Sequence, residues 1–290
     1  MRSVVVTGAS TGIGEAIALR LGRAGWTVFA GVRQRADGER LRRMSETIYP
    51  VSLDVRKMDD ITAMARHVDL TLDGRTLSGL INNAGIAQMG PLTLQPMDEI
   101  RTHFEINVLG AIAVTQALAP ALGQDTSRIG SPGRIVNITS VGGQVASPFL
   151  GAYTATKHAM ESVTDTLRRE LKMFSIEAIA VAPGAVQTPI WDKASREDGH
   201  AYKMTPWADA LDTFLSAMVA GGKRGFTADH IAAVVEEALT AARPRARYAP
   251  VPDKLVNYYA LRSLPKRWVD ALFVKRLGLD RPTSSSPDDR

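Results

Sequence analysis

Residues 7–14 read TGASTGIG, and this stretch decides how the chain folds because it joins two different periodic patterns. An apolar β-branched run, Val4–Val6, precedes it, and Ile13, Ile17 and Leu21 follow at helical spacing. Glycine lets the backbone turn tightly and approach a pyrophosphate, which the free N–H groups at a helix N-terminus stabilise. A glycine-rich turn can also serve close packing alone, but its position between a strand and a helix favours a dinucleotide site.

Beyond this loop, short β-branched runs alternate with longer stretches of helical periodicity. The candidate strands are Ser3–Thr7, Thr27–Val32, Ile48–Leu53, Gly79–Asn82, Gly133–Thr139, Ile176–Val181 and Arg247–Ala249. This alternation predicts an α/β fold with a single doubly wound parallel sheet and helices on both faces. Gly184–Phe226 breaks the pattern as an irregular region. Because ligands bind beyond the carboxyl ends of such strands, we expect this region to cover the site.

Composition excludes several kinds of site. The chain contains no cysteine, which rules out disulfides, thiolate zinc sites and cysteine nucleophiles. Its five histidines are scattered without the short spacing of metal ligands, so no metal is expected. No nucleic-acid-binding motif accompanies the net charge of +5. The sequence pattern shows neither a signal-peptide core nor a membrane span, so we expect a cytoplasmic protein.

Tyr153 and Lys157 are four residues apart, in the stretch YTATK. On a helix, this spacing places both side chains on one face, a turn apart. A phenol ordinarily titrates near pH ~10, and a neighbouring cation lowers its pKa, as a general acid or base requires. The pair alone is also typical of a solvated helix face, so its meaning depends on the other motifs.

Further motifs follow the glycine loop in a fixed order. They are Asn82-Asn83-Ala84-Gly85, Asn107, Ser140, the Tyr153/Lys157 pair, Pro183-Gly184 and Thr188. Together with the Thr-Gly-x-x-x-Gly-x-Gly spacing of the loop, residues 1–250 resemble the short-chain dehydrogenase/reductase family. The resemblance implies a Rossmann-type fold and an enzyme that interconverts an alcohol and a carbonyl with a nicotinamide cofactor. The stretches 247–250 and 264–273 also resemble the retinol and hydroxysteroid dehydrogenase branch.

The resemblance implies four catalytic residues. Tyr153 is expected to give a proton to the carbonyl oxygen or to take one from the alcohol. Lys157 is expected to lower the Tyr153 pKa and to hydrogen-bond the nicotinamide ribose, and Ser140 to orient the reacting oxygen. Asn107 lies in mid-helix, where asparagine is a mediocre helix former. Its side chain is expected to hold a proton-relay water, with a buried structural amide as the alternative.

The resemblance also implies the cofactor contacts. Asp54 is expected to bond the adenine amino group and Thr188 the nicotinamide carboxamide, although an Asx turn and a helix start are the respective alternatives. The Asn82–Gly85 turn is expected to brace the sheet as well. The full set is Gly8, Ser10, Thr11, Gly12, Ile13, Gly14, Arg33, Asp54, Val55, Asn82, Ala84, Gly85, Tyr153, Lys157, Pro183, Gly184, Val186 and Thr188.

The end of the second candidate strand favours NADP(H) over NAD(H). An NAD enzyme usually carries a carboxylate there for the ribose 2′-OH, whereas arginine suits a 2′-phosphate. This sequence has Val32 at the acidic position, followed by Arg33 and, two residues later, Arg35. NAD(H) stays open, because Asp37 or Glu39 could reach the ribose if the loop folds back.

Three segments make up the predicted domain organisation. Residues 1–250 are expected to form the Rossmann-fold cofactor-binding and catalytic domain, with residues 185–226 as its substrate lid. Residues 251–281 are expected to form a basic, helical, amphipathic extension, because ten Lys/Arg and three Asp/Glu lie between positions 243 and 281. Residues 282–290 are rich in Ser, Pro and Asp and are expected to be disordered.

An apolar stripe marks the extension. Leu261, Leu264, Trp268 and Leu272 fall at helical spacing and could cap the pocket, join subunits or touch an anionic membrane surface. We expect subunit packing or docking on the protein itself. The resemblance implies a homodimer or homotetramer that pairs through the helices containing Asn107 and Tyr153.

Apolar side chains near the site favour a bulky apolar alcohol or ketone, such as a steroid, a retinoid or another lipid-like carbonyl. They are Trp191, Met204, Trp207, Phe214, Met218 and Phe226, with Phe149 just before the catalytic pair. Core filling is the alternative for each. The alternatives to an NADP(H)-dependent oxidoreductase include an NAD-dependent enzyme of the same family and a non-catalytic cofactor-binding sensor.

Overall fold

The structure is a computed structural model that describes residues 2–187, 201–252 and 261–280. Predictions for Trp191 and Thr188, for residues 188–200 of the lid and for the 282–290 tail lie outside the described residues. Its strands are Ser3–Val6 (β1), Thr27–Val32 (β2), Ile48–Ser52 (β3), Gly79–Asn82 (β4), Arg134–Ile138 (β5), Glu177–Val181 (β6), Val186–Gln187 (β7), Phe226–Thr227 (β8) and Arg247–Tyr248 (β9).

One seven-stranded sheet forms the centre of the molecule, in the order β3-β2-β1-β4-β5-β6-β9. Every neighbouring pair in this sheet is parallel. The strand order reverses between β1 and β4, which is where open α/β sheets leave a crevice at their carboxyl edge. β7 and β8 pair separately as a short two-stranded ribbon.

Helices cover both faces of this sheet. The α-helices are Gly12–Arg23 (α1), Arg35–Met44 (α2), Met58–Leu72 (α3), Met97–Phe104 (α4), Gly110–Leu118 (α5), Gly151–Glu170 (α6), Ala208–Lys223 (α7), Ala228–Thr240 (α8), Leu261–Ser263 (α9) and Lys266–Leu277 (α10). A π-helical turn, Glu105–Leu109, links α4 to α5. The predicted doubly wound α/β architecture with a helical C-terminal extension is therefore confirmed.

Alternation along β1 explains the two layers of core. Val4 and Val6 pack into one apolar cluster together with α1 and α8, whereas Val5 points into a second cluster with α3 and α5. All three valines are fully buried. Burying an aliphatic side chain of this kind stabilises the fold by about 1.5–3 kcal/mol, so the strand that carries the glycine loop is firmly anchored on both faces.

A third apolar group lies beside the carboxyl edge, and we call it the lid cluster. Its buried members are Met89, Phe149, Leu150, Tyr202, Ala210, Leu211, Phe214, Leu215 and Leu277. Most of the residues between 208 and 223 form α7, so the expectation that Gly184–Phe226 is irregular throughout was wrong. Leu211, Phe214 and Leu215 face one side of this helix, which gains its stability by packing there.

The C-terminal helix α10 docks on the lid cluster through Phe273 and Leu277. The predicted stripe faces away from this contact, since Leu264, Trp268 and Leu272 are exposed. The helix therefore docks through the face that carries Phe273 and Leu277. The sequence spacing had suggested the opposite face, which carries Trp268 and Leu272. Among the residues that the structure describes, none of the helices has the length and apolarity to cross a bilayer.

Candidate active site

A cleft of about 670 Å³ opens at the carboxyl edge of the sheet. The predicted residues that line it are Gly8, Ser10, Thr11, Gly12, Ile13, Arg33, Asp54, Val55, Ala84, Gly85, Ser140, Tyr153, Lys157, Pro183, Gly184 and Val186. Gly14, Asn82 and Asn107 are not part of the lining. The fold thus brings residues from six separate strand ends into one space.

The glycine loop is held by contacts that leave no room for side chains. Gly8 and Gly12 have φ values of +63° and +60°, which only glycine adopts freely. A Cβ on Gly14 would lie 2.2 Å from the Gly8 carbonyl oxygen and 2.4 Å from Nδ2 of Asn83. Gly14 therefore acts by letting the first helix approach the loop and the Asn83 side chain.

Asn83 and Thr7 tie the loop to the turn after β4. Nδ2 of Asn83 donates to the carbonyl oxygens of Thr7 and Gly8, both at 3.0 Å. The Thr7 hydroxyl oxygen in turn accepts hydrogen bonds from the backbone N–H groups of Asn83 and Ala84, also at 3.0 Å. These bonds fix the backbone that would meet a pyrophosphate, which fits the preformed cradle that a dinucleotide requires.

Asn82 is buried below the cleft. Its Nδ2 donates to Thr115 on α5 at 3.0 Å and to Asn137 on β5 at 2.9 Å. Nδ2 of Asn137 continues the chain to Thr164 on α6 at 2.8 Å. The side chain of Asn82 therefore braces the sheet against its helices, which is the structural part of the role expected for this turn.

Ser140, Tyr153 and Lys157 meet at the end of β5. The Ser140 hydroxyl oxygen accepts a hydrogen bond from the Gly142 N–H at 3.0 Å, and the hydroxyl is also hydrogen-bonded to the Tyr153 phenol. Nζ of Lys157 donates to the Ile138 carbonyl oxygen at 2.9 Å and lies 5.6 Å from the centre of the Tyr153 ring. All three side chains line the cleft.

The protonation of this group differs from the expectation. Burial raises the pKa of Tyr153, and the hydrogen bond to Ser140 opposes this only in part. Burial also lowers the pKa of Lys157 to about 8, against the attraction of the Glu161 carboxylate. The expected lowering of the Tyr153 pKa was therefore wrong for this structure, because the ammonium is bonded to a carbonyl and desolvation dominates.

Asn107 lies in the π-helical turn between α4 and α5. Its Oδ1 accepts from the Ile86 N–H at 2.8 Å, and its Nδ2 donates to the Ile86 carbonyl at 3.0 Å. Nδ2 also donates to the Thr156 hydroxyl at 3.0 Å. The amide thus holds the backbone segment that follows the β4 turn. This geometry favours the alternative of a buried structural amide over a side chain that holds water.

Charged residues cluster at the opposite end of the cleft. Arg33 is exposed and lines the cleft, whereas Val32 is buried. Arg56 forms a two-bond ion pair with Asp54, with Nε to Oδ1 at 3.1 Å and Nη2 to Oδ2 at 2.7 Å. This hydrogen-bonded pairing lowers the pKa of Asp54 to about 2. Asp54 is therefore a carboxylate at neutral pH and keeps further lone pairs for a donor.

Arg35 and Glu39 are paired with each other one helical turn apart, at 2.8 Å on the surface of α2. Neither residue lines the cleft. Of the two predicted arginines, Arg33 is the one that lines the cleft. Glu39 is hydrogen-bonded to Arg35 and does not line the cleft.

Several lining residues were missed by the sequence analysis. They are Gly31, Leu53, Arg56, Asn83, Ile86, Ala87, Gln88, Thr102, Ile106, Ile138 and Thr139. Asn83 and Thr139 stood directly beside predicted residues, so position alone could have identified them. The Ile86–Gln88 segment and α4 give no comparable pattern, because they reach the cleft through tertiary packing.

Of the apolar residues proposed as a substrate pocket, those that the structure describes do not line the cleft. Phe214 is buried in the lid cluster, where its ring meets Phe149 at 5.7 Å between centroids. Trp207 and Met218 pack at the margin of that cluster, and Met204 is almost fully exposed. Phe226 packs against the first core cluster instead. Core filling, the alternative stated above, is therefore what the structure shows for Phe214.

Comparison with known proteins gives a consistent result. The family model described as short chain dehydrogenase matches residues 2–199. The chain is 33% identical over 278 residues to an NADPH-dependent 3-dehydrocapnine reductase of Ornithobacterium rhinotracheale, covering 96% of this chain and 98% of that protein. It is 32% identical over 284 residues to retinol dehydrogenase 5 of Mus musculus, covering 93% and 86% respectively.

Solved structures agree with these sequence matches. A short-chain dehydrogenase from Streptomyces avermitilis superposes with a TM-score of 0.74 at 27% identity, covering 97% of this chain and 98% of that chain. A short chain dehydrogenase/reductase from Burkholderia phymatum in complex with NAD gives a TM-score of 0.75 at 26% identity, covering 93% and 95%.

Proposed function

The chain belongs to the short-chain dehydrogenase/reductase family, and from that premise we propose that it is an NADP(H)-dependent oxidoreductase acting on a bulky apolar alcohol or ketone. The observation that carries the proposal is the convergence of Ser140, Tyr153 and Lys157 on one wall of the cleft. Their side chains share a space with the glycine loop, so a nucleotide held by the loop would present its reactive end to them.

Tyr153, Ser140 and Lys157 each have a separate role in the proposed reaction. When bound, the nicotinamide cofactor supplies or accepts the hydride. Tyr153 holds the proton on its phenol oxygen at neutral pH, because burial raises its pKa, and this is the state that reduces a carbonyl. Ser140 is placed to bond the same reacting oxygen and hold it beside the phenol. Lys157 presents its positive charge below the ring.

Replacement of Tyr153 by Phe tests this mechanism. The variant keeps the ring and removes the proton, so we expect turnover to fall by about 10²- to 10⁴-fold, the usual worth of general acid catalysis. Turnover is followed at the nicotinamide absorbance with NADPH and a panel of steroid, retinoid and small aliphatic ketones. NADPH binding, measured by fluorescence titration, should change little. Activity near that of the parent protein would refute the mechanism.

The preference for NADP(H) is supported by charge at the adenine end of the cleft. An exposed guanidinium at Arg33 can pair with a 2′-phosphate, and the buried Val32 offers no carboxylate for a free 2′-OH. The NADPH-dependent relative from Ornithobacterium is consistent with this. We expect Arg33→Ser to cut the NADPH-over-NADH preference in kcat/KM by about tenfold or more, as for a lost charge-assisted contact of about 1.5–3 kcal/mol.

The matched control for that variant is Arg35→Ser. Arg35 is also near the end of β2 but is paired with Glu39 and lies off the cleft, so its loss should leave the cofactor preference unchanged. A clear preference of the parent protein for NADH would remove the assignment of Arg33.

We also propose assembly as a homodimer or homotetramer through the helices that contain Asn107 and Tyr153. An apolar group of Val108, Ala111 and Met160 joins these helices, and Leu109 beside it is largely exposed. Light scattering coupled to size-exclusion chromatography measures the assembly. We expect Leu109→Glu to shift it toward the monomer, and a parent protein that is already monomeric would contradict the proposal.

A further inference from the structure

Glu161 lies one helical turn beyond Lys157 on the same face of α6, and the mechanism above does not use it. Its Oε1 accepts a hydrogen bond from the Thr139 hydroxyl at 2.6 Å. Its Oε2 accepts one from Nε of Arg247 on β9 at 2.9 Å. Thr139 stands between the two residues that hold Lys157 and Tyr153. Ile138 at the end of β5 and the two residues that follow it therefore contact three successive turns of one helix face.

This arrangement places a carboxylate where a buried cation needs one. Lys157 is buried, and its ammonium donates to a backbone carbonyl. Removing a charge from water is costly unless it is paired, and the Glu161 carboxylate favours the charged state of the lysine. Arg247 and Thr139 satisfy both carboxylate oxygens, so Glu161 stays fixed rather than turning toward solvent.

Close packing strengthens the interaction. A Cβ on Gly143 would lie 2.9 Å from Cγ of Glu161 and 2.8 Å from the Lys157 carbonyl oxygen, so the turn after Ser140 covers this stretch of helix. Low solvent access makes the attraction between charges larger than at an exposed site. The titratable or charged groups beside Lys157 include Tyr153 and Glu161 on its own helix and, behind the carboxylate, Arg247 on β9.

We propose that Glu161 is a positioning residue for the reaction, whose anchored carboxylate keeps the Lys157 ammonium charged and seated beside Tyr153. This rests on the proposed function in one respect, since it assumes that the charged lysine is the active state. On successive turns, α6 then carries the proton donor Tyr153, the cation Lys157 and the carboxylate of Glu161. Arg247, on the edge strand β9, holds this carboxylate in place.

The test is a titration that needs no substrate. The full-length protein contains nine lysines, few enough for NMR of ¹³Cε-labelled lysine, and Lys157→Met assigns the Lys157 resonance. The parent protein should show one lysine with a pKa of about 8. In Glu161→Gln the Lys157 pKa should fall by at least half a unit, about a threefold change in the proton equilibrium, and Glu161→Asp should restore part of the shift.

Activity provides the second readout. Turnover should fall as pH rises through the Lys157 pKa, and this alkaline limb should move to lower pH in Glu161→Gln by the same amount as the NMR titration. The matched control is Glu170→Gln, which neutralises an exposed carboxylate at the end of the same helix and should move neither curve. Loss of folding alone would lower activity without moving the limb.

An unchanged Lys157 titration in folded Glu161→Gln would overturn the proposal. Should that variant fail to fold, Thr139→Val removes one anchor of the carboxylate and must lower the Lys157 pKa, and an unchanged value there overturns the proposal as well. Absence of turnover with every ketone would count against the proposed function only, because the NMR titration is independent of it.

Discussion

The glycine loop lines the same cleft as Tyr153, and the lid cluster packs against Tyr153, but the two regions are built on different principles. The loop, residues 7–14, is held by hydrogen bonds from the Asn83 side chain to its backbone carbonyls and by contacts at Gly14 that leave no room for a Cβ. The lid cluster is held by apolar side chains from α7, α10 and the segment before Tyr153. The loop tolerates almost no added atoms, whereas the lid cluster needs only apolar groups of suitable size.

This difference assigns different tasks to the two regions. A rigid backbone cradle suits a cofactor that every reaction cycle shares. The buried members of the lid cluster do not line the cleft, so their size can be varied without disturbing that cradle. Changes in the lid cluster should therefore mainly cost stability, and changes in the loop should mainly cost cofactor affinity.

The largest expected effect comes from Phe214→Ala in the lid cluster. Phe214 is 5% exposed and packs edge-on against Phe149, so truncation should leave a cavity that costs about 3–5 kcal/mol of stability. Thermal unfolding and limited proteolysis of α7 measure the loss, and NADPH affinity should stay within about threefold, a shift below 1 kcal/mol. Met204→Ala, at a side chain that is 99% exposed, is the control. A large loss of NADPH affinity would show that the two regions are not independent.

Gly14→Ala should produce the opposite pattern. The new Cβ would collide with the Gly8 carbonyl and the Asn83 side chain, costing about 1–3 kcal/mol of stability by overpacking. Because the same atoms shape the cradle, NADPH affinity should fall at least ~100-fold, or about 2.8 kcal/mol. Fluorescence titration measures the affinity and thermal unfolding the stability.

The matched control for this change is Gly221→Ala in α7. No atom lies within 4 Å of a Cβ built on Gly221, and alanine is the better helix former. This variant should gain about 0.5–1 kcal/mol and bind NADPH normally. If both substitutions had equal effects on NADPH binding, the contrast between the loop and the lid cluster would be lost.

The same contrast explains how far the sequence could be interpreted. The strands of the seven-stranded sheet and the glycine loop were predicted to within a residue or so at each end, because β-branched runs and required glycines are local properties. The short strands β7 and β8 were not predicted. Leu211, Phe214, Leu215 and Met218 also follow a helical pattern, yet Phe214 and Met218 were interpreted as pocket lining. A helical pattern of apolar residues does not show which residues they pack against. Here the packing partners, such as Phe149 and Leu277, are distant in sequence.

Two properties of the candidate site were beyond any sequence pattern. The pKa of Tyr153 depends on burial by several distant segments, which outweighs the helical spacing of Lys157. The task of Asn107 depends on its partner Ile86, which a π-helical turn brings into reach. Residue types and spacing thus predicted most of the side chains that line the cleft. The protonation states and contacts of these side chains could be determined only from the structure.

The segment Ile86–Met89 joins the two regions, because its first three residues line the cleft and Met89 enters the lid cluster. His103 on α4 holds this junction. Its Nε2 accepts the Gln88 N–H at 3.0 Å, so the ring proton is on Nδ1 and is donated to the Glu99 carbonyl at 2.8 Å. The ring is fully buried. Protonation of Nε2 would therefore break the bond to the junction.

The smallest expected effect is a pH dependence at His103. Burial lowers its pKa below the ordinary ~6.5, so the unfolded chain takes up this proton first as pH falls. The stabilising contribution is full above pH ~6.5 and is lost as pH falls through the folded-state pKa. In His103→Gln, which cannot titrate, the urea-unfolding free energy should fall less between pH 7 and pH 5 than in the parent protein. His158→Gln, at an exposed histidine, is the control. Parallel curves for the parent and His103→Gln would contradict this account of the junction.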